Sequence, residues 1–163
     1  VPNSFSDIPQ LCCFANAYDG ACNRTGCKGR WLVYFAAPST TAIEYEGVNG
    51  LADNDWDPVE ANVYMKFPAC VLKKLYVKMT TAPGSGKSRQ FTVRSNMVDT
   101  GLTCTVSNTA LTSSDTVNSV THDEGNFLSV KMTPSGTPAA SNGAKFSFVF
   151  DVPQTGNFFP LFN

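Results

Sequence analysis

The sequence predicts an all-β protein, an antiparallel β-sandwich preceded by an irregular, cysteine-rich N-terminal region. Short segments rich in Val, Thr, Phe and Tyr recur along the chain, each bounded by Gly, Pro, Asn or Asp, which is the texture of half-buried strands separated by turns. No long stretch holds the apolar period of a helix, which argues against a βαβ arrangement. The chain has 163 residues, of which 42% are hydrophobic, enough to bury a core without obligatory help from a metal or a partner. Residues 1–163 are read as one domain with a Cys-rich region and the first strands (1–60), a sandwich core (61–152) and an apolar tail (153–163).

Nine strands follow in order. Trp31-Leu32-Val33-Tyr34-Phe35 is continuously apolar, which suits a buried strand, and Ala42-Ile43-Glu44-Tyr45-Glu46 alternates. Further strands are predicted over 62–67, 71–80, 89–95, 102–107, 117–121, 127–133 and 145–152. In the last, Phe146, Phe148 and Phe150 fall on one face, as in a central strand that meets an opposite sheet about 10 Å away. Between 75–80 and 89–94, the run Pro83-Gly84-Ser85-Gly86 predicts a hairpin loop.

That loop contains Gly86-Lys87-Ser88, the tail of a phosphate-binding motif. The motif needs a glycine where the chain has Thr81, and a following helix where residues 90–94 alternate as a strand. The turn reading stands. Charged residues make up 15% of the chain and the net charge is −1, so no basic face invites nucleic acid. No apolar run approaches the ~20 residues of a membrane-spanning helix, so a soluble protein without membrane insertion is expected. The start Val1-Pro2, with no Met, fits a removed leader or a trimmed end.

Cys12, Cys13, Cys22 and Cys27 cluster, while Cys70 and Cys104 stand alone in strand-like segments. The cluster suits one or two disulfides in a protein that matures outside a reducing cytosol. Four zinc-bound thiolates or buried free thiols are the alternatives; adjacent Cys12 and Cys13 fit a tetrahedral site poorly. Cys70 and Cys104 read as small apolar core residues.

The one histidine, His122, precedes Asp123 and Glu124. Adjacent residues there point apart, so no Ser–His–Asp array is predicted, and His122 is expected in a solvated turn. Asp53, Asp55 and Asp57 alternate and form a candidate Ca²⁺ site, although Pro58 and Tyr64 replace the Gly and Glu of a calcium loop. No other cofactor is expected. Asn23-Arg24-Thr25 is a glycosylation acceptor pattern. The tail places Phe158, Phe159, Leu161 and Phe162 together, apolar groups expected to dock on the domain or on a neighbouring copy.

Residues 70–151 carry a resemblance. The phrases at 75–81, 82–88, 91–94, 99–106, 114–120 and 125–138 resemble a β-sandwich module that recurs in virion structural proteins of tailed bacteriophages, among head fibres, tail fibres and related surface proteins. Such modules resemble the jelly roll of tumour-necrosis-factor-like proteins, which commonly form trimers. The resemblance implies a jelly-roll fold, a homotrimer at a virion surface or outside the cell, and no catalytic residues to transfer. Residues 1–60 and those after Asp151 lie outside it, and attachment to other virion or filament proteins is expected there.

The expected role is thus a non-enzymatic fibre, capsid-decoration or adhesion module. Two alternatives remain: a filament subunit joined by strand addition, and a carbohydrate-binding lectin in which Trp31, Trp56 or Tyr45 stacks on a cell-surface glycan.

Overall fold

A computed structural model describes residues 28–35, 37–48 and 56–151. They form nine strands: β1 (Lys28–Phe35), β2 (Glu44–Gly47), β3 (Met65–Lys66), β4 (Cys70–Met79), β5 (Gly84–Ser95), β6 (Val98–Asn108), β7 (Thr112–His122), β8 (Phe127–Ser135) and β9 (Ala144–Asp151). A 3₁₀ turn spans Glu60–Asn62. One sheet has the order β1-β9-β4-β7, the other β2-β8-β5-β6, with β3 added beside β8. All pairings are antiparallel. The expected antiparallel sandwich is the fold.

The core lies between the sheets because alternate residues of each strand point inward. On β9, Phe146, Phe148 and Phe150 are buried, as their spacing predicts, and β9 is central between β1 and β4. The opposite sheet supplies Phe91, Val93, Leu102, Val106, Leu128, Val130 and Met132. Cys70 and Cys104 are free thiols within this core, as expected of small apolar residues. In β4, Leu72 and Leu75 are both buried although three residues apart, which strict alternation forbids. A β-bulge restores the phase: the register with β7 shifts between Lys73 and Leu75, and Lys74 takes φ 57°.

Three sequence expectations are corrected. The segment 80–83 joins the first sheet to the second, and β4 and β5 do not pair, so Pro83 to Gly86 make a crossover and the start of β5 rather than a hairpin loop. Residues 62–67 are not one strand; a 3₁₀ turn precedes the two-residue β3. In β2, Ile43 just before it is 47% exposed while Glu46 is buried. There Glu46 shares a rung with Val130, which shares one with Val93, so strand register sets that face against the local hydrophobic pattern.

The pairings nest: β1 with β9, β2 with β8, β4 with β7, β5 with β6. Only the β2–β3 and β5–β6 connections stay within one sheet; the others cross. Antiparallel strands then gather the crossings 37–43, 80–83, 109–111 and 136–143 at one end of the sandwich, the upper end. The crossings 67–69 and 123–126 lie at the lower end with the β5–β6 hairpin. Among the described residues no helix is long and apolar enough to cross a membrane.

The β5–β6 hairpin turns on Asn96 (φ 51°) and Met97 (φ 63°), the two left-handed residues of a type I′ turn, which favours Asn-Gly. Replacing Met97 by Gly removes the steric cost of a left-handed side chain and retains the backbone. Met97→Gly should raise stability by about 0.5–1 kcal/mol in urea unfolding, net of the added chain entropy; a lower unfolding midpoint would contradict this account.

Candidate functional site

Polar side chains concentrate at four places, and each is built from the strand that carries it. At the upper end, Arg89 occupies an inward position of β5, two residues before Phe91, and is fully buried. Its Nη1 donates to Ala139 O at 3.0 Å, its Nε and Nη2 to Ser39 O at 3.3 Å, and its Nη2 to Pro38 O at 3.4 Å. Burial lowers the affinity of the guanidinium for its proton, and Glu44 partly offsets this; Glu44 also accepts from Ser39 N at 2.7 Å. The remaining upper loops are tied to each other. Thr80 N donates to Gly143 O, Ala139 N to Pro83 O and Met79 N to Leu111 O. The Ser141 hydroxyl donates to Gly143 O at 3.1 Å and accepts from Thr81 N at 3.3 Å. Gly136 (φ 72°) fits against this knot because an added Cβ would lie 3.2 Å from Gly86 O.

At the lower end, His122 ends β7 opposite Cys70 and is fully buried. The expectation of a solvated turn at His122 is therefore corrected: pairing with β4 carries the strand through residue 122, and the turn begins only at Asp123. Nδ1 shares a 2.9 Å hydrogen bond with the Ser95 hydroxyl from the other sheet. Nε2 has no hydrogen-bond partner among the described residues, and the Phe67 ring packs edge-on with centroids 6.1 Å apart. Burial lowers the His122 pKa from its ordinary value of 6.5; the Phe67 and Asn126 carbonyls and the Asp123 and Glu124 carboxylates oppose this without cancelling it. A Ser–His pair is the skeleton of a nucleophile and its base, but a fully buried imidazole meets no substrate. It acts as a clip between sheets. The Cys70 and Cys104 thiols, pushed up to about 12 chiefly by burial, stay protonated and unreactive at neutral pH.

Along the β6–β7 flank, Asp115 accepts from Val117 N at 3.1 Å, Asn118 N at 3.0 Å, Asn118 Nδ2 at 2.9 Å and Thr103 N at 3.2 Å. Burial pushes this carboxyl up, but the bonds from Asn118, Thr103 and Val117 outweigh it and hold the pKa below its ordinary value. One side chain thus shapes the bulged β7 and binds it to β6.

The outer faces of the two sheets differ. On the β2-β8-β5-β6 sheet, Arg94 donates from Nε to Glu60 Oε1 at 2.9 Å and also bonds Asp99 and the Met97 carbonyl, while Lys131 pairs with Asp99. Ser129 donates to Glu60 Oε1 at 2.7 Å, and Arg94 lies 5.4 Å from the Tyr45 ring. This network fastens the 3₁₀ segment onto the sheet. On the β1-β9-β4-β7 sheet, an open depression of about 480 Å³ lies over β4, β7 and β9, where Tyr76, Lys78, Thr112, Ser114, Lys145 and Ser147 take part in its lining.

The structure brings few of the sequence-predicted site residues together. Asp57 accepts from Val59 N at 2.6 Å and Asn62 Nδ2 at 3.0 Å, and its backbone pairs with Tyr45; its carboxylate holds the 3₁₀ segment. Asp53 and Asp55 lie outside the described residues, among which no group of three His, Cys, Asp or Glu could hold a metal ion. Trp56 is 5% exposed and packs on Phe91 with centroids 5.9 Å apart, which removes it as a sugar platform. Tyr45 lies beside Arg94, and Trp31 pairs in register with Phe148. Cys12, Cys13, Cys22, Cys27, Asn23, Phe158, Phe159, Leu161 and Phe162 lie outside the described residues.

Arg89, Ser95, Asp115 and the Tyr76–Lys78 face were not identified from sequence. Arg89 had a signal: it alternates with Phe91 and Val93, so a charge sits on the apolar face of a strand. Ser95 and Asp115 had none, since their partners come from other strands. No protein-family model matches the chain, and no curated protein matches it.

Two consequences are measurable. Arg89→Met keeps the apolar stem and strands the carbonyls of Pro38, Ser39 and Ala139; it should cost about 3 kcal/mol in denaturant unfolding and speed amide exchange in 37–43 and 136–143, whereas unchanged exchange there would contradict the clip. His122 has a folded pKa below its unfolded value, so its contribution is complete above pH 6.5 and is lost as pH falls from there. Stability should decline by up to about 1.4 kcal/mol per pH unit below that point, and His122→Gln should flatten the decline; an equal slope in the variant would refute it.

Proposed function

We propose that the chain is a non-enzymatic structural protein of a virus-particle surface, a fibre, capsid-decoration or adhesion module of the phage type that assembles as a homotrimer. The observation that carries this reading is the nested order of the described strands, in which β1 pairs with β9 and inner strands pair within outer ones. We read that nesting as the winding of a double Greek-key jelly roll, an architecture common among capsid and lectin domains. The resemblance over 70–151 points the same way. Hydroxyl-rich outer strands, such as β7 with its run of Ser and Thr, suit a surface kept soluble with few charges.

The flank formed by β6 and β7 is the contact favoured for assembly. Among the described residues β6 pairs only with β5 and β7 only with β4 on their sheet edges. The flank also exposes Val117 at 89%, while Val98 at the β5–β6 turn is 65% exposed. The same open edges favour, as a second reading, a filament subunit joined by strand addition.

Light scattering of the full chain should give three times the 17.5 kDa chain mass, and Val117→Lys should shift it to monomer while circular dichroism stays β-rich. A monomer at every concentration would count against both readings; open-ended growth would favour the filament.

A further inference from the structure

We infer that Asn142-Gly143 is a modification site: the side-chain amide of Asn142 is lost to water without an enzyme, leaving an aspartyl or isoaspartyl residue beside the knot that closes the upper end. Neither the assembly reading nor any ligand is needed for it. The side-chain carbonyl carbon of an asparagine, Cγ, lies where the backbone nitrogen of the next residue can close a five-membered ring on it, an attack that is already intramolecular. A side chain on that next residue hinders the approach, and glycine has none.

The structure distinguishes Asn142 from the other described asparagines. It alone among them precedes glycine, and it is exposed. Asn62 and Asn118 commit their amide nitrogens to Asp57 and Asp115, and Asn108 Oδ1 accepts from Gly86 N at 2.8 Å. Asn96 and Asn126 are followed by Met97 and Phe127. Among the described residues no hydrogen bond holds the Asn142 amide or occupies the Gly143 N–H. That nitrogen is thus free to lose its proton and approach Cγ.

Hydroxide takes the Gly143 amide proton, the nitrogen bonds to Cγ, and the Cγ–Nδ2 bond breaks as ammonia leaves with a proton from water, which regenerates the hydroxide. One water then opens the resulting succinimide. Opening at Cγ gives aspartate with the ordinary backbone, whereas opening at the main-chain carbonyl carries the chain through Cβ and Cγ as isoaspartate. Either way one water is consumed, one ammonia is released and one carboxylate is gained. The position makes the difference matter. Ser141 and Ala144 on either side are buried, and Gly143 O accepts from Thr80 N at 3.1 Å, Thr80 Oγ1 at 3.2 Å and the Ser141 hydroxyl at 3.1 Å. A backbone lengthened by one carbon between anchored residues cannot keep all three bonds, so isoaspartate loosens the knot. Aspartate only adds a negative charge to a chain of net charge −1.

The test incubates the full folded chain at mildly alkaline pH and maps its peptides by mass spectrometry, with isoaspartate read by methyl transfer from S-adenosylmethionine catalysed by an isoaspartyl methyltransferase. Mapping separates Asn142 from Asn49-Gly50, which lies outside the described residues. Conversion at Asn142 should run about tenfold or more faster than at Asn62, Asn96, Asn108, Asn118 or Asn126, a factor that a barrier lower by ~1.4 kcal/mol supplies. It should speed up as pH rises and vanish from this peptide in Asn142→Gln, whose longer side chain would need a six-membered ring. In the isoaspartyl fraction the Thr80 and Thr81 amides should exchange faster with solvent than in fresh protein, while Asn142→Asp should exchange as fresh protein does. Conversion at Asn142 no faster than at the other described asparagines overturns the inference. So does isoaspartate with unchanged exchange at Thr80, or equally fast exchange in Asn142→Asp, which would assign the loosening to charge alone.

Discussion

The structure depends on one constraint: strands that alternate between two sheets must repeatedly carry the backbone across the ends of the sandwich, where its peptide groups leave the sheet ladders. Every such group that is shielded from water needs a partner. At the upper end Arg89 meets a large part of this demand, because a planar guanidinium with five donors can serve carbonyls from two loops at once, and it reaches Pro38, Ser39 and Ala139; bonds between the loops themselves meet the rest. At the lower end Phe67 N donates to Asn126 O at 3.2 Å, Asn96 N to Phe127 O at 2.7 Å and Ala69 N to Glu124 Oε2 at 2.9 Å, while the Ser95–His122 bond ties the two sheets to each other.

Closing the ends in this way leaves the sheets to meet through apolar side chains. The phenylalanine face of β9 spans the middle of that core, extended at the lower end by Phe67, whose ring meets Phe150 edge-on at 5.8 Å. The clips then set which surfaces remain for other molecules. One outer face is spent on fastening the 3₁₀ segment through Arg94 and Glu60. The β6–β7 flank is less encumbered, which is why a neighbouring copy is assigned to it.

The same division explains the chemistry. Groups that resemble catalytic parts, a Ser beside a His and two cysteines, are sealed in the core where the imidazole loses proton affinity and the thiols keep theirs. Burial thus distinguishes a clip from a site more sharply than residue type does.

The sequence by itself determined the fold class, because alternation and turn residues act within a few positions of the chain; β9 with its three phenylalanines and β8 were placed almost to the residue. It also settled that Gly86-Lys87-Ser88 belongs to no phosphate loop, since that motif is local. The tertiary structure decided what alternation cannot express. The bulge at Lys74 re-phases β4, register with β8 turns Glu46 inward and leaves Ile43 out, and the crossing at 80–83 takes β5 to the other sheet where a hairpin was expected. His122 became buried, Trp56 became core, and Tyr76, Lys78 and Lys145 became neighbours only through pairing. The physical reason is common to all: periodicity says which residues share a face of one strand, whereas the choice of partner strand and its register is made by packing between segments far apart in the chain.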